Sequence, residues 1–261
     1  MKLIVVGAPS YIGAGIIRQA LTRSDITSVI AVTRRPLEQT AARLQNVIVP
    51  DYCTYSAAAK EALAGAGACI WTVGVTPRHA FRMDPEEVRK ICQDYTMAGL
   101  EAMRSSGLAR LFRVAYLSAV AVPRDVNQNM WFAPKFRLTR VRYASYNYQA
   151  SCLNCLFQLL TSVDPRSQQR TRLSRLRRGS EGAVEAVIAK PGPVPDQGGM
   201  PLTALATISR GLGIGVTVAV VLDDLAIALI DQVVHGIEKD PLWPADFNRL
   251  AQQVKYKKGL N

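Results

Sequence analysis

The segment Gly7-Ala8-Pro9-Ser10-Tyr11-Ile12-Gly13 is the first place in this chain where residue type and spacing could do chemistry. Gly7 directly follows the apolar run Leu3-Ile4-Val5-Val6, and Gly13 lies within a helical pattern of Ile12, Ile16, Ile17 and Leu21. Glycine lets a backbone turn tightly and come close to a ligand, and the start of a helix offers N–H donors and positive potential. A loop of this kind between a strand and a helix therefore suits a diphosphate. Arg34 and Arg35 follow a second apolar run, Ser28 to Thr33. Two guanidinium groups there can hold a 2′-phosphate by charge-assisted, bidentate bonds, which favours NADP over NAD. Val73 and Gly74, after the run that begins at Ala68, are small enough to let a ribose approach. Ser118 ends the run that begins at Leu111.

The elements that must position these residues alternate regularly. Strands are expected at Leu3 to Val6, Ser28 to Thr33, Val47 to Val49, Ala68 to Val73 and Leu111 to Ser118. Helices are expected from Ile12, over Tyr55 to Leu63 and over Pro85 to Ser105. Asp84 caps the last of these, Pro85 sits at its first turn, and Gly107 closes it. Ala183 to Ala189 resumes the strand pattern and Val216 to Leu222 reads as a further strand. Helical segments follow over Asp223 to Gly236 and Ala245 to Val254. Five strands alternating with helices before residue 118 predict an α/β, Rossmann-type, doubly wound parallel sheet over a single domain, residues 1–261. The Pro/Gly-rich opening of 190–261 marks that portion as a small C-terminal substrate-side lobe.

Val6-Gly7-Ala8-Pro9-Ser10-Tyr11-Ile12-Gly13 resembles the phosphate loop of extended and atypical short-chain dehydrogenase/reductases, usually written G-A-T-G-F-I-G. The resemblance runs through residues 1 to 140 and resumes near 183. It is strongest toward fungal NAD(P)-binding proteins called nucleoside-diphosphate-sugar epimerase-like. It implies cofactor contacts from Gly7, Ser10, Tyr11, Ile12 and Gly13, and an adenine contact from Asp51, which Tyr52 follows. The family's middle glycine is Ser10 here, so a Cβ stands where the backbone passes the phosphate, and its hydroxyl is placed to donate instead.

The resemblance also implies a Ser/Tyr/Lys arrangement in which serine orients a carbonyl, tyrosine donates a proton and lysine lowers the tyrosine pKa. Ser118 occupies the serine position and Lys135 the lysine offset, but Trp131 stands where the tyrosine belongs, and indole is no acid near neutral pH. Tyr143, Tyr146 and Tyr148 are followed four residues on by Asn147, Ala150 and Cys152, so none restores the pair. Tyr116 reads as core and His79 as an exposed loop histidine. Cys152 and Cys155 have redox spacing without the context for it, and no metal site is expected. Two functions follow: an NADP-dependent oxidoreductase or isomerase acting on a small carbonyl or sugar-like molecule, or a non-catalytic NADP sensor that signals to a protein partner.

Charge raises a third possibility. The 261 residues are 49% hydrophobic with mean hydropathy +0.07, yet carry a net +12. Ala133 to Ser180 holds ten basic residues and one acidic residue, so one stretch accounts for three quarters of the excess. Such density suffices for salt-sensitive nucleic-acid binding, but a solvated segment explains it as well, and a nucleic-acid partner is not expected. Codons supply another account. Val141-Arg142, Leu160-Thr161 and Gln168 or Gln169 can be encoded by a fungal splice donor, a branch point and an acceptor, so 141–169 reads as an atypical insertion, an unspliced intron translated in frame. Five scattered cysteines fit a reducing compartment, and a cytoplasmic location is expected. The opening apolar run is too short for a signal peptide, and Gly211 to Leu222 is too short for a membrane span. Oligomeric state is left open.

Overall fold

The computed structural model describes residues 1–75, 79, 82–118, 183–195, 219–257 and 259. Its described strands are β1 (Lys2–Val6), β2 (Ser28–Thr33), β3 (Leu44–Ile48), β4 (Ala68–Trp71), β5 (Leu111–Leu117) and β6 (Ala183–Ala189). They form one sheet in the order β3-β2-β1-β4-β5-β6, with every pairing parallel. This is the Rossmann-like α/β architecture that the alternation predicts. The order reverses beside β1, and the crevice outside the carboxyl ends of β1 and β4 is where open sheets of this type bind ligands.

Parallel strands covered on both faces are apolar throughout, which is why β1, β2 and β4 read as continuous runs rather than alternations. One face packs Ile4, Ile30, Trp71, Val114 and Tyr116 against α2 (Ala57–Leu63) and α4 (Tyr95–Ser105). Tyr116 is a core residue, as expected. The other face packs Leu3, Val5, Ala31 and Ile70 against α1 (Tyr11–Leu21), α5 (Leu222–His235) and α6 (Pro244–Lys257). Helices α1 and α5 come close at Gly15, where an added Cβ would lie 2.7 Å from the Leu222 side chain.

Several element boundaries differ from those read in the sequence. β3 begins at Leu44 because Leu44, Gln45 and Asn46 pair with β2, and the Asn46 amide donates to Ala31 O and Thr33 Oγ1. Being at the sheet edge, β3 tolerates these polar residues, which hid it from an apolar-run criterion. α2 starts at Ala57, with Ser56 as its cap, so Tyr55 is a core residue ahead of the helix. The long helix after Asp84 is α3 (Pro85–Arg89), then a π-helical turn (Lys90–Asp94), then α4.

The strand expected over Val216 to Leu222 is not continued by its described end. Residues 219–221 form no strand, and Leu222 is the first residue of α5. Asp223 and Asp224 in that first turn face the positive end of the helix dipole, a helix-start signal that outweighs the preceding β-branched residues. The basic stretch from 133 to 180, including the 141–169 insertion, lies outside the described residues.

Two long-range contacts tie β6 into place. The half-buried Arg113 of β5 pairs with Glu185 of β6 (Nε to Oε2, 2.6 Å) and donates to the carbonyls of Val233 and Val234 at the end of α5. Beyond β6, Ala189 forms a parallel bridge with Leu242. Lys190 N donates to Leu242 O at 2.9 Å, and Leu242 N to Ile188 O at 2.9 Å.

Candidate functional site

The phosphate loop lies at the carboxyl end of β1, where the strand order reverses. Gly7 has φ +88°, and an added Cβ would come within 2.6 Å of Thr72 Oγ1 and 3.0 Å of Val73 Cγ2. At Gly13 it would stand 2.5 Å from Gly7 O and 2.8 Å from Ala8 Cα, both backbone atoms that cannot rotate away. The two glycines therefore let the loop fold back on the first turn of α1.

Ser10, in place of a third glycine, is the N-cap of α1. Its Oγ accepts the Gly13 N–H at 3.0 Å, and its backbone is extended (φ −71°, ψ 156°), so the substitution causes no strain here. Serine thus does the work of a cap, and its hydroxyl proton remains available to an incoming oxygen. Ile12 packs toward the core of the α1 face. Tyr11 turns outward and donates its hydroxyl to Pro195 O at 2.8 Å, joining the loop to the segment that follows β6.

Arg34 and Arg35 leave the end of β2 exposed, and neither guanidinium has a hydrogen bond or ion pair among the described residues. Thr33 Oγ1 donates to Arg35 O at 2.7 Å and fixes the backbone that presents them. Two guanidinium groups without a described partner, at the end of the strand next to this loop, are the arrangement a phosphorylated ribose would need. The charge of Arg34 is near enough to Tyr52 and Tyr95 to favour their ionised forms, against the larger effect of burial.

Asp51 and Tyr52 sit in a compact cluster that the sequence did not reveal as one. Asp51 accepts from Cys53 N (3.0 Å) and from Lys90 Nζ (3.3 Å), and the Cys53 N–H in particular holds its carboxyl below the ordinary range. Lys90 lies on the π-helical turn with its ammonium 5.6 Å from the centre of the Tyr95 ring. Tyr95 meets the buried Tyr52 edge-on at 5.5 Å, and burial pushes the Tyr52 hydroxyl up to about 12. A π-turn shifts side-chain phase within a helix, and here it places Lys90 opposite Asp51. The acidic Asp84-Pro85-Glu86-Glu87 start marked the helix, but nothing in the sequence marked this offset.

Val73 and Gly74 follow β4, with Val73 N near the Gly7 turn and Val73 O accepting from Trp71 Nε1 at 3.2 Å. Gly74 is exposed, and His79 is exposed as expected. Ser118 stands at the carboxyl end of β5, its N–H donating to Ala189 O at 2.8 Å. Its Oγ is buried and has no hydrogen-bond partner among the described residues. Buried hydroxyls are seldom left unpaired, so this one fits a ligand oxygen. Lys135 lies outside the described residues. Beside Ser118, at the matching end of β6, is Lys190, almost wholly buried, which sequence reading treated only as the end of a strand. The available signal was a lysine ending an apolar run directly before Pro191-Gly192.

No group of three metal-ligating side chains occurs among the described residues, and no described helix is long and apolar enough to cross a membrane.

No family model matches the chain, and no curated protein is significantly similar to it. Solved structures are similar in fold. The enzyme WbmF from Bordetella bronchiseptica, in complex with NAD+, has TM-score 0.58 at 12% identity over 100% of this chain and 79% of its own. UDP-glucose 4-epimerase from Thermotoga maritima, with UDP-glucose, has TM-score 0.56 at 14% identity over 100% of this chain and 84% of its own. A short-chain dehydrogenase from Burkholderia cenocepacia, in complex with NADP, has TM-score 0.52 at 14% identity over 100% of this chain and 93% of its own. At these identities the likeness establishes one thing: the chain shares the Rossmann-type fold of these proteins.

Proposed function

We propose that this chain is an atypical short-chain dehydrogenase/reductase that binds NADP and acts as an oxidoreductase or isomerase on a small carbonyl or sugar-like molecule. The observation that carries the reading is the glycine turn at the switch point of the sheet together with two exposed arginines, unpaired among the described residues, at the end of the neighbouring strand. Gly7 and Gly13 would hold the diphosphate against the start of α1, with the Ser10 hydroxyl as an added donor. Arg34 and Arg35 would take the 2′-phosphate. Asp51 and Tyr52 would face the adenine, while Val73 and Gly74 would line the path of the nicotinamide ribose. Bound there, the cofactor supplies or accepts hydride. Ser118, with its buried and unpaired Oγ, would donate a hydrogen bond that orients the substrate oxygen. Two of the similar structures support the cofactor class, since the Bordetella bronchiseptica enzyme was solved with NAD+ and the Burkholderia cenocepacia dehydrogenase with NADP.

Titrating the protein with NADPH and with NADH, followed by nicotinamide fluorescence, tests the cofactor reading. NADPH is expected to bind at least tenfold more tightly, and the double substitution of Arg34 and Arg35 by alanine is expected to abolish the preference. Equal affinity in the unaltered protein would falsify the role given to the arginines.

Trp131 in the tyrosine position favours a second reading, an NADP sensor without catalysis. Tight NADPH binding with no consumption against a broad carbonyl panel is the outcome that would select it.

A further inference from the structure

The described site contains a hydrogen-bond donor for a substrate oxygen in Ser118, but no acid to replace the missing tyrosine. We propose that Lys190 is that acid: it protonates the oxygen of a carbonyl substrate that Ser118 orients. The inference rests on the proposed NADP-dependent reduction.

Geometry brings the two residues together. Leu117 of β5 is in register with Ala189 of β6, and the ladder continues one step further, with Ser118 N donating to Ala189 O and Lys190 N to Leu242 O. Tyr116 and Ile188 pack on one face of the sheet, and Leu117 and Ala189 on the other. Period-two alternation therefore returns Ser118 and Lys190 to the face of Tyr116 and Ile188, side by side on adjacent strands at the ligand-binding edge.

Burial and chemistry then distinguish Lys190 from a surface cation. Lys190 is 2% exposed, and its ammonium lies 5.4 Å from the centre of the Trp243 ring. Trp243 follows Leu242, the residue bridged to Ala189, and is 39% exposed, so the indole joins a buried ammonium to the rim of the sheet edge. Lysine is suited to such a place because its ammonium carries donor protons at neutral pH, and the alkoxide developing on a carbonyl oxygen is basic enough to take one. The neighbouring Ser118 Oγ is buried and without a partner among the described residues, an independent sign that a ligand oxygen belongs between them.

In the step itself, a hydride from the reduced nicotinamide cofactor bonds to the carbonyl carbon while the C=O π pair moves onto oxygen. That oxygen forms an O–H bond with a proton from Lys190 Nζ. The N–H electron pair stays on nitrogen as the neutral amine, which recovers its proton from water. The carbonyl compound is reduced to an alcohol and the cofactor is oxidised.

Two variants and one spectroscopic measurement test this. Lys190→Met keeps side-chain length and removes the proton. Lys190→Arg keeps the charge and the stack on Trp243, but guanidinium does not release a proton near neutral pH. Both are expected to bind NADPH within threefold of the unaltered protein and to lose about 100-fold or more in kcat with a carbonyl substrate. The alkaline fall in kcat of the unaltered enzyme should disappear in both. If Lys190→Met does not fold, judged by circular dichroism, Lys190→Arg carries the test. Independently of turnover, the 13Cε signal of Lys190, assigned by its loss in Lys190→Arg, should move on saturation with NADP+, with a titration midpoint displaced by about one pH unit.

Four outcomes overturn the proposal: a Lys190→Arg enzyme as active as the original, an alkaline limb retained in the variants, a Lys190 signal indifferent to NADP+, or NADPH binding without reduction of any carbonyl. Failure to bind NADPH at all would instead overturn the underlying functional reading.

Discussion

Around Gly7 the side-chain hydroxyls are committed to the protein's own backbone, whereas at the far end of the same sheet edge the buried Ser118 hydroxyl has no partner among the described residues. Ser10 caps α1 through Gly13, Thr72 Oγ1 donates to Val6 O at 2.7 Å, and Asn46 joins the ends of β2 and β3. At the ends of β5 and β6, Ser118 has a buried hydroxyl with no described partner, and a lysine is buried beside it. The first region is a closed scaffold that presents backbone to a ligand. The second keeps a serine hydroxyl out of water without a described partner, an arrangement that stability alone does not explain.

The comparison can be broken most directly at Gly13. In Gly13→Ala the new Cβ meets backbone on both sides, so a loss of about 2 to 3 kcal/mol in chemical denaturation is expected, together with at least a tenfold loss in NADPH affinity. Retained affinity would mean that the glycine turn is not the binding site.

Tyr52 offers a test by pH. Its folded-state pKa is raised from 10 to about 12 by burial, so neutral tyrosine favours the fold. That contribution is complete below pH 10 and is lost as pH rises from 10 to about 12, amounting to about 2 to 3 kcal/mol. Tyr52→Phe should remove this part of the alkaline slope, and an unchanged slope would show that Tyr52 does not titrate against folding.

At the other end, Arg113→Met should cost about 2 kcal/mol, because it leaves Glu185 without its partner and the last carbonyls of α5 without donors. It should leave NADPH affinity unchanged, which separates the β5–β6 edge from the glycine turn. The smallest expected effect is at Ser10. Ser10→Ala removes a cap worth about 1 kcal/mol, whereas Ser10→Gly costs only a few tenths in stability and should show a modest loss of NADPH affinity from the missing hydroxyl donor alone. Unchanged NADPH affinity in Ser10→Gly would remove the hydroxyl from the phosphate site.

The phosphate loop, the order of strands and helices through Leu117 and the exposed arginines were legible in the sequence because each depends on neighbours close along the chain. An apolar run becomes a strand, a glycine turn follows, and an amphipathic pattern makes the helix. Where boundaries were missed, distant atoms decided. The polar start of β3 exists because Asn46 reaches back to β2, and Leu222 begins a helix because its first turn carries Asp223 and Asp224 and its side chain fills the space above Gly15.

By itself, then, the sequence determined a parallel α/β sheet with a tight glycine turn between its first strand and first helix, since hydrophobic period and glycine placement are local properties. Only the tertiary structure decided that Lys90 faces Asp51 across 39 positions, through a π-turn no composition announces. It also decided that Lys190 stands beside Ser118. Strand register joins residues 72 positions apart, and a pairing between two apolar strands leaves no trace in either one alone.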